Sequence, residues 1–297
     1  GYKGLVSLPV LNLFIVGFPK SGTTSLYEAL SGLKNFDFGR IKESNFFCED
    51  IMPDYCFAKN LSEYESLYEF YSDEKFIKVD SSIANIYSKK AIKNILKYNP
   101  LAKFIILYRD PHKMAVSLYS YLFSNGHENI KSFEDAILLS GNRDRKKNIP
   151  NSCLVPFYLD YLNSCSLYKH TNNLLNYIDK ENLMVIKNTE LSNSHLIKRN
   201  IENFMGIDFE GDFTIKKINE TRKVRNNFIH NIFMSTWAFK RQYFNKINFG
   251  LSSIYFSLFL NKKNLDFDKM WSSNELRQTY NLINDDYKKF EILINDN

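Results

Sequence analysis

Residues 12–30 read NLFIVGFPKSGTTSLYEAL. Leu11–Val16 is a short apolar run rich in branched side chains, the composition of a buried strand. Gly17 ends it. Pro19, Lys20, Ser21 and Gly22 make a tight loop, and from Thr23 the spacing of Leu26, Ala29 and Leu30 fits one face of a helix. Strand, glycine-bounded loop and helix start form an anion cradle, because backbone N–H groups and the positive end of the helix dipole meet at the loop. Lys20 adds a full positive charge. The hydroxyls of Ser21, Thr23, Thr24 and Ser25 add donors, and Gly22 lets the backbone turn.

The nucleotide triphosphatase loop, G-x-x-x-x-G-K-[ST], separates its glycines as Gly17 and Gly22 are separated here. In this chain Thr23 follows the second glycine, and the lysine lies inside the loop as Lys20. A lysine after the second glycine reaches the terminal phosphates of a triphosphate. One inside the loop lies along its edge, beside a group in transfer. The plain alternative is a glycine turn of an ordinary α/β protein, with no ligand.

The arrangement recurs at residues 103–119. KFIILY, Lys103–Tyr108, is a buried-strand run. Arg109, Asp110 and Pro111 follow at once, and a helix is predicted from about His112 to Phe123, Pro111 suiting its first turn. An arginine before a helix N-terminus and Ser117 along that helix make a second anion site.

Pro19-Lys20-Ser21-Gly22-Thr23-Thr24 resembles the 5′-phosphosulfate loop of the sulfotransferases that use 3′-phosphoadenosine 5′-phosphosulfate (PAPS). Arg109-Asp-Pro-His-Lys-Met-Ala-Val-Ser117-Leu-Tyr119 resembles their 3′-phosphate motif, R-[DN]-P-x-x-x-x-x-S-x-[YF], at every position. The resemblance implies PAPS as donor and adenosine 3′,5′-bisphosphate as product, with Arg109 and Ser117 on the 3′-phosphate and Lys20 neutralising the leaving phosphate. It implies in-line transfer to a hydroxyl or amine of a glycan or small-molecule acceptor, and no metal.

Ile41–Phe47 reads IKESNFF and has no strong period, which predicts a loop or short strand. Either Lys42-Glu43 is a surface charge pair beside core aromatics, or Glu43 is a carboxylate at an apolar cleft where desolvation raises its pKa. The segment resembles K-E-x-x-[FY]-F of the heparan-sulfate type of sulfotransferases and their bacterial relatives, in which this glutamate is the general-base candidate. Asn45 stands where relatives often carry His. Residues 79–82, Val-Asp-Ser-Ser, loosely match another family string, which suggests Asp80 and Ser82 as acceptor-site residues. Asn125-Gly126-His127-Glu128 also recurs in bacterial members. His127, with a near-neutral ordinary pKa, is a second acid/base candidate or a structural residue. Tyr168 falls where relatives have a tyrosine near the cofactor, and is equally readable as core. Residues 218–226, INETRKVRN, form a basic loop. Family members close the cofactor site with such a loop, so Lys223 and Arg225 are implied to cover the cofactor phosphates.

Length and composition agree with one large domain. The chain has 297 residues, 44% hydrophobic and 24% charged. A net charge of +6 suits a polyanionic small ligand and is too dispersed for nucleic acid. Cys48, Cys56, Cys153 and Cys165 form no C-x-x-C pair and no zinc pattern, which favours free thiols in a reducing cytoplasm; the alternative is a Cys48–Cys56 or Cys153–Cys165 bridge in a secretory compartment. No apolar run reaches membrane-spanning length.

The alternation of strands and helices predicts an α/β, P-loop-like three-layer fold, with a central parallel sheet flanked by helices. A core of about 11–226 and a helical, aromatic-rich extension of about 227–297 are read as a single domain, 1–297. Within the extension, Phe228–Leu260 reads as two packed helices, an acceptor lid or a membrane-contacting surface. Residues 141–149, GNRDRKKNI, read as a mobile charged loop, and residues 273–293 as a terminal helix with Asp285 and Asp286 outward. Two rival functions stay open: a P-loop small-molecule kinase, and a non-catalytic binder of phosphorylated ligands or membranes.

Overall fold

The computed structural model describes residues 11–68, 77–143, 148–216, 223–224, 260–261 and 266–295. The elements run β1 (Leu13–Gly17), α1 (Thr23–Ser31), β2 (Phe36–Asp37), α2 (Leu61–Glu65), β3 (Ile77–Asp80), α3 (Lys89–Tyr98) and β4 (Lys103–Tyr108). They continue α4 (Pro111–Ser124), α5 (Phe133–Leu139), α6 (Tyr161–Ser164), α7 (Leu167–Leu175), β5 (Leu183–Lys187) and α8 (Ser194–Met205). A two-stranded antiparallel ribbon pairs β6 (Lys223–Val224) with β7 (Leu260–Asn261), and the chain ends in α9 (Phe267–Met270) and α10 (Arg277–Asn295). The described residues divide into two compact units. One is drawn from Gly1–Arg109, Leu167–Ile218 and Phe290–Asn297, the other from Asp110–Ser166 and Asn219–Lys289.

The first unit is built on a five-stranded, all-parallel sheet in the order β2-β3-β1-β4-β5. Every residue of β1 is buried, as a central parallel strand covered on both faces requires. Strand alternation sends Leu13 and Ile15, with Ile105 and Leu107, into one cluster with Leu26 and Leu30 of α1 and Ile197 and Ile201 of α8. On the other face Phe14 stacks on Phe104, ring centroids 5.7 Å apart, and meets Phe47 edge-on at 6.0 Å. The expected three-layer arrangement is therefore present, and it puts the β1–α1 loop at the carboxyl ends of the strands.

Several expectations need correction. β2 was not foreseen, since two residues carry no period. Residues 61–71 have the amphipathic, aromatic pattern of a helix, but α2 ends at Glu65, the Ser66 N–H turning back onto the Ser62 carbonyl. Residues 157–178, whose sequence reads as largely helical, are so in three pieces: a 3-10 turn, Pro156–Leu159, followed by α6 and α7. Asp160 starts α6 by accepting from the Asn163 N–H, which fixes the first break. In the terminal helix Asp285 is exposed, but Asp286 is half-buried. Arg225 and the two helices read over Phe228–Leu260 lie outside the described residues, apart from Leu260 in β7.

The second unit centres on α4, whose Met114, Ala115, Val116, Leu118 and Leu122 are buried. Tyr119 meets Phe133 of α5 edge-on at 5.6 Å, and Phe133 meets Trp271 at 5.1 Å. Glu128 is buried with both oxygens used. Asn129 and Ile130 N–H donate to Oε1 at 2.9 Å and 3.0 Å, while Arg143 Nη2 and the Tyr161 hydroxyl donate to Oε2 at 2.6 Å and 2.9 Å. Arg143 is thus no solvated member of a charge run: only 2% of its side chain is exposed.

Candidate active site

The β1–α1 loop is held open by three left-handed residues. Gly17 has φ 134°, and a Cβ there would stand 2.7 Å from the Leu107 carbonyl oxygen, so only glycine lets the end of β1 lie this close to β4. Lys20 follows at φ 62° and Gly22 at φ 96°. The ends of the neighbouring strands brace the loop. Arg109, directly after β4, donates from Nη1 to the Lys20 carbonyl at 3.3 Å. Asn188, directly after β5, donates from Nδ2 to the Ser21 carbonyl at 2.9 Å. Carboxyl ends of parallel strands are where ligands gather in such sheets.

The loop is electropositive by construction. Gly22 starts α1 with no side-chain cap, and the first turn carries no acidic residue, so the helix dipole is not answered from within that turn. Burial first, and the Arg109 charge second, push the Lys20 ammonium down to about 8. The Ser21 hydroxyl is fully buried and has no hydrogen-bond partner among the described residues. An orphaned buried hydroxyl costs free energy unless a ligand or water completes it. Here it belongs to a loop bearing Lys20 and flanked by Arg109, which fits a phosphate- or sulfate-bearing group.

A second segment packs beside this loop. Lys42 Nζ donates to Thr24 Oγ1 at 2.9 Å, lies 5.2 Å from the Tyr27 ring centre and 4.0 Å from Glu43 Oε1. Glu43 has 32% of its side chain exposed, yet its surroundings are mostly protein. Burial pushes its carboxyl up, Lys42 pulls it down, and Asp80 pushes it up again. Behind it Asp80 is buried and accepts from Ser44 Oγ at 3.1 Å, Tyr64 OH at 2.6 Å and Ser82 N–H at 2.7 Å. The Ser82 hydroxyl accepts from Asn45 N–H at 2.9 Å. Asp80 and Ser82, suggested as acceptor-site residues, bond inside the protein to the Ser44 hydroxyl and the Asn45 N–H, the two residues that follow Glu43. Asn45 has φ 52°, a conformation asparagine tolerates better than most residues. It donates to the carbonyls of Glu43 and Tyr55.

With this geometry in hand, comparison with known proteins is decisive. The sulfotransferase domain family matches residues 12–269. This chain belongs to the sulfotransferase family. A sulfotransferase from Alicyclobacillus acidocaldarius is 20% identical and superposes with a TM-score of 0.58, over 78% of this chain and 95% of that one. The mouse sulfotransferase SULT7A1, solved in complex with PAP, is 14% identical, with a TM-score of 0.50 over 94% of this chain and 84% of that one. At such identities the structural likeness speaks for the fold alone. No curated protein sequence matches the chain. Family membership sets the kinase reading aside.

The remaining candidate site residues fall in both units. Lys20, Ser21, Gly22, Thr23, Thr24, Ser25, Glu43, Arg109 and Tyr168 belong to the first unit, and Ser117 and His127 to the second. Thr23 and Thr24 are half-buried at the start of α1, and Ser25 is buried one residue on. Tyr168 is half-buried on α7. Ser117 is fully buried on α4. Asp110 starts that helix by accepting from Lys113 N–H at 3.0 Å. Burial opposes its ionisation, but hydrogen bonds from the His112 side chain and Lys113 N–H outweigh it and bring its carboxyl down to about 2. His127 is buried, and its Nδ1 accepts from Leu154 N–H at 3.2 Å, which places a proton on Nε2 when the ring is neutral. Lys223 contributes its backbone to the β6–β7 ribbon. Arg225 is outside the described residues.

Asn188 and Leu191 brace the candidate site, and sequence reasoning missed both. Both crowd Gly22: a Cβ there would meet the Leu191 side chain and lie 2.9 Å from Asn188 Nδ2. Their one available signal was position, just after a parallel strand.

Proposed function

We propose that the chain transfers a sulfuryl group from PAPS to a hydroxyl or amine of a small-molecule or glycan acceptor, both units acting as one catalytic domain. The observation that carries this reading is the buried Ser21 hydroxyl, unpartnered among the described residues, in a loop bearing Lys20 and braced by Arg109. The donor supplies an activated sulfuryl group with adenosine 3′,5′-bisphosphate as its leaving group. Lys20, Ser21, Gly22, Thr23, Thr24 and Ser25 would hold its 5′-phosphosulfate. The motif at residues 109–119 assigns Arg109 and Ser117 to its 3′-phosphate, and the resemblance adds Tyr168, Lys223 and Arg225.

In the transfer, the acceptor oxygen or nitrogen bonds to sulfur while the bond from sulfur to the bridging oxygen breaks. Lys20 offsets the charge that grows on the departing oxygen. Glu43 takes the proton that the acceptor releases; burial raises its basicity, and the Lys42 charge favours its ionised form. His127, with Nδ1 occupied by Leu154, is the second acid/base candidate. No metal is required by this scheme. The free thiols of Cys48, Cys56, Cys153 and Cys165 favour a reducing compartment, and we place the reaction in the cytoplasm. Among the described residues no helix is long and apolar enough to cross a membrane.

Labelled PAPS incubated with a panel of alcohols, phenols, amines and oligosaccharides tests the reading. Transfer to at least one acceptor is expected, and Glu43→Gln should reduce it on the order of 100-fold with donor affinity nearly unchanged. Tight binding of adenosine 3′,5′-bisphosphate with no transfer to any acceptor would instead mark a non-catalytic binder. Loss of transfer in His127→Asn, with full activity in Glu43→Gln, would move the base to the histidine.

A further inference from the structure

Lys42 is held from two sides. Its ammonium donates to Thr24 Oγ1 in the first turn of α1, and the Ser81 hydroxyl after β3 donates to its carbonyl. Its Nζ also lies over the Tyr27 ring. A lysine followed by a glutamate on a surface forms an ion pair of little consequence, worth about 0–1 kcal/mol. This one is anchored on the phosphate loop's own helix. The two contacts of 2.9 Å and 4.0 Å, end to end, bound how far Glu43 can lie from Thr24.

The charges around Glu43 make that anchoring matter. Asp80, at the end of β3, repels its ionised form, and burial does so more strongly. Lys42 is the cation that answers both. Glu28 on α1 also acts on Lys42, while Lys42 is itself pushed down by burial and raised by Glu43 and Glu28. Cys48, on the same segment as Glu43, stays a thiol because burial pushes it far up.

We propose that Lys42 is a positioning residue for sulfuryl transfer: tied to Thr24, its ammonium holds the Glu43 carboxylate beside the first turn of α1, ready for the acceptor's proton. The role rests on the reading of Glu43 as base given above. It makes the donor loop and the base one mechanical piece, since the residue that orients Glu43 is fastened to the helix that starts the cradle.

The test separates the two ideas. Carboxyl-carbon NMR of the full chain, with the Glu43 signal assigned by its loss in Glu43→Gln, follows the titration of Glu43 without any acceptor. In Lys42→Met its midpoint should move up, in Lys42→Arg it should stay near that of the unaltered protein, and in Thr24→Val it should move up by less. Turnover of labelled PAPS in Lys42→Met should fall on the order of tenfold below the new midpoint and recover above it. Lys42→Arg should keep the original pH profile. An unmoved Glu43 midpoint in Lys42→Met, or a loss of turnover equal at every pH, overturns the proposal. Full turnover in Glu43→Gln overturns the underlying assignment of the base, whatever the NMR midpoints show, and removes Lys42's role in transfer with it.

Discussion

Arg109 Nη1 donates to the Lys20 carbonyl across 3.3 Å, so the residue directly after β4 clamps the residue at the turn of the phosphate loop. The hydrogen bond draws two cationic residues together at one end of the sheet. With burial, the Arg109 charge lowers the Lys20 ammonium to about 8.

That electrostatic cost can be read from stability. The folded-state pKa of Lys20, about 8, lies below its ordinary value of 10.5. The unfolded chain therefore binds more protons between those values, and stability rises with pH across that window. It is fully present above 10.5 and lost as pH falls through 8. Lys20→Met should raise the melting temperature of the ligand-free protein at pH 7, with the difference closing above pH 10.5, while turnover drops on the order of 100-fold or more. Scanning fluorimetry at the two pH values checks this. A lower melting temperature for Lys20→Met at pH 7 would contradict it.

Gly22 is constrained in conformation and in space. At φ 96° a side chain is strained, and a Cβ would collide with Leu191 and crowd Asn188. Gly22→Ala should cost about 1–3 kcal/mol in urea unfolding. Adding Leu191→Ala should relieve part of the increment caused by Gly22→Ala. Equal stability of Gly22→Ala and the unaltered chain would show that the loop can relax in ways this geometry does not allow.

Tyr64 is a deeply placed support of the site. Its hydroxyl donates to Asp80 Oδ2 at 2.6 Å, and its ring stacks on Phe46 at 4.6 Å. Tyr64→Phe keeps the ring and leaves that oxygen of a buried carboxylate with Ser44 as its remaining side-chain donor. The expected loss is about 1–3 kcal/mol by chemical denaturation. A change within about 0.5 kcal/mol, the range of a neutral surface substitution, would mean that water replaces the phenol.

The parts of this fold that could be read in the sequence are those with strong local patterns. Lys103–Tyr108 is a strand with the predicted bounds because its whole length is apolar apart from Lys103, and Pro111 announces α4 by fitting its first turn. The loop at Lys20–Gly22 was legible because glycine, lysine and hydroxyls carry the chemistry in consecutive residues. Partners distant in sequence were not. Nothing near Ser21 predicts Asn188, and nothing in a charge run predicts that Arg143 is buried by Glu128, a pairing only the folded chain creates. Asp80 was legible as a residue at a strand end, but its three donors lie on separate segments, so its structural duty was hidden.

Calorimetric binding of adenosine 3′,5′-bisphosphate and of adenosine 5′-monophosphate, to the unaltered chain and to Arg109→Ala, tests the donor assignment most directly. The unaltered protein should prefer the bisphosphate, and Arg109→Ala should lose about 1.5–3 kcal/mol on that ligand and far less on the monophosphate. Equal weakening of both ligands would contradict the assignment of Arg109 to the 3′-phosphate.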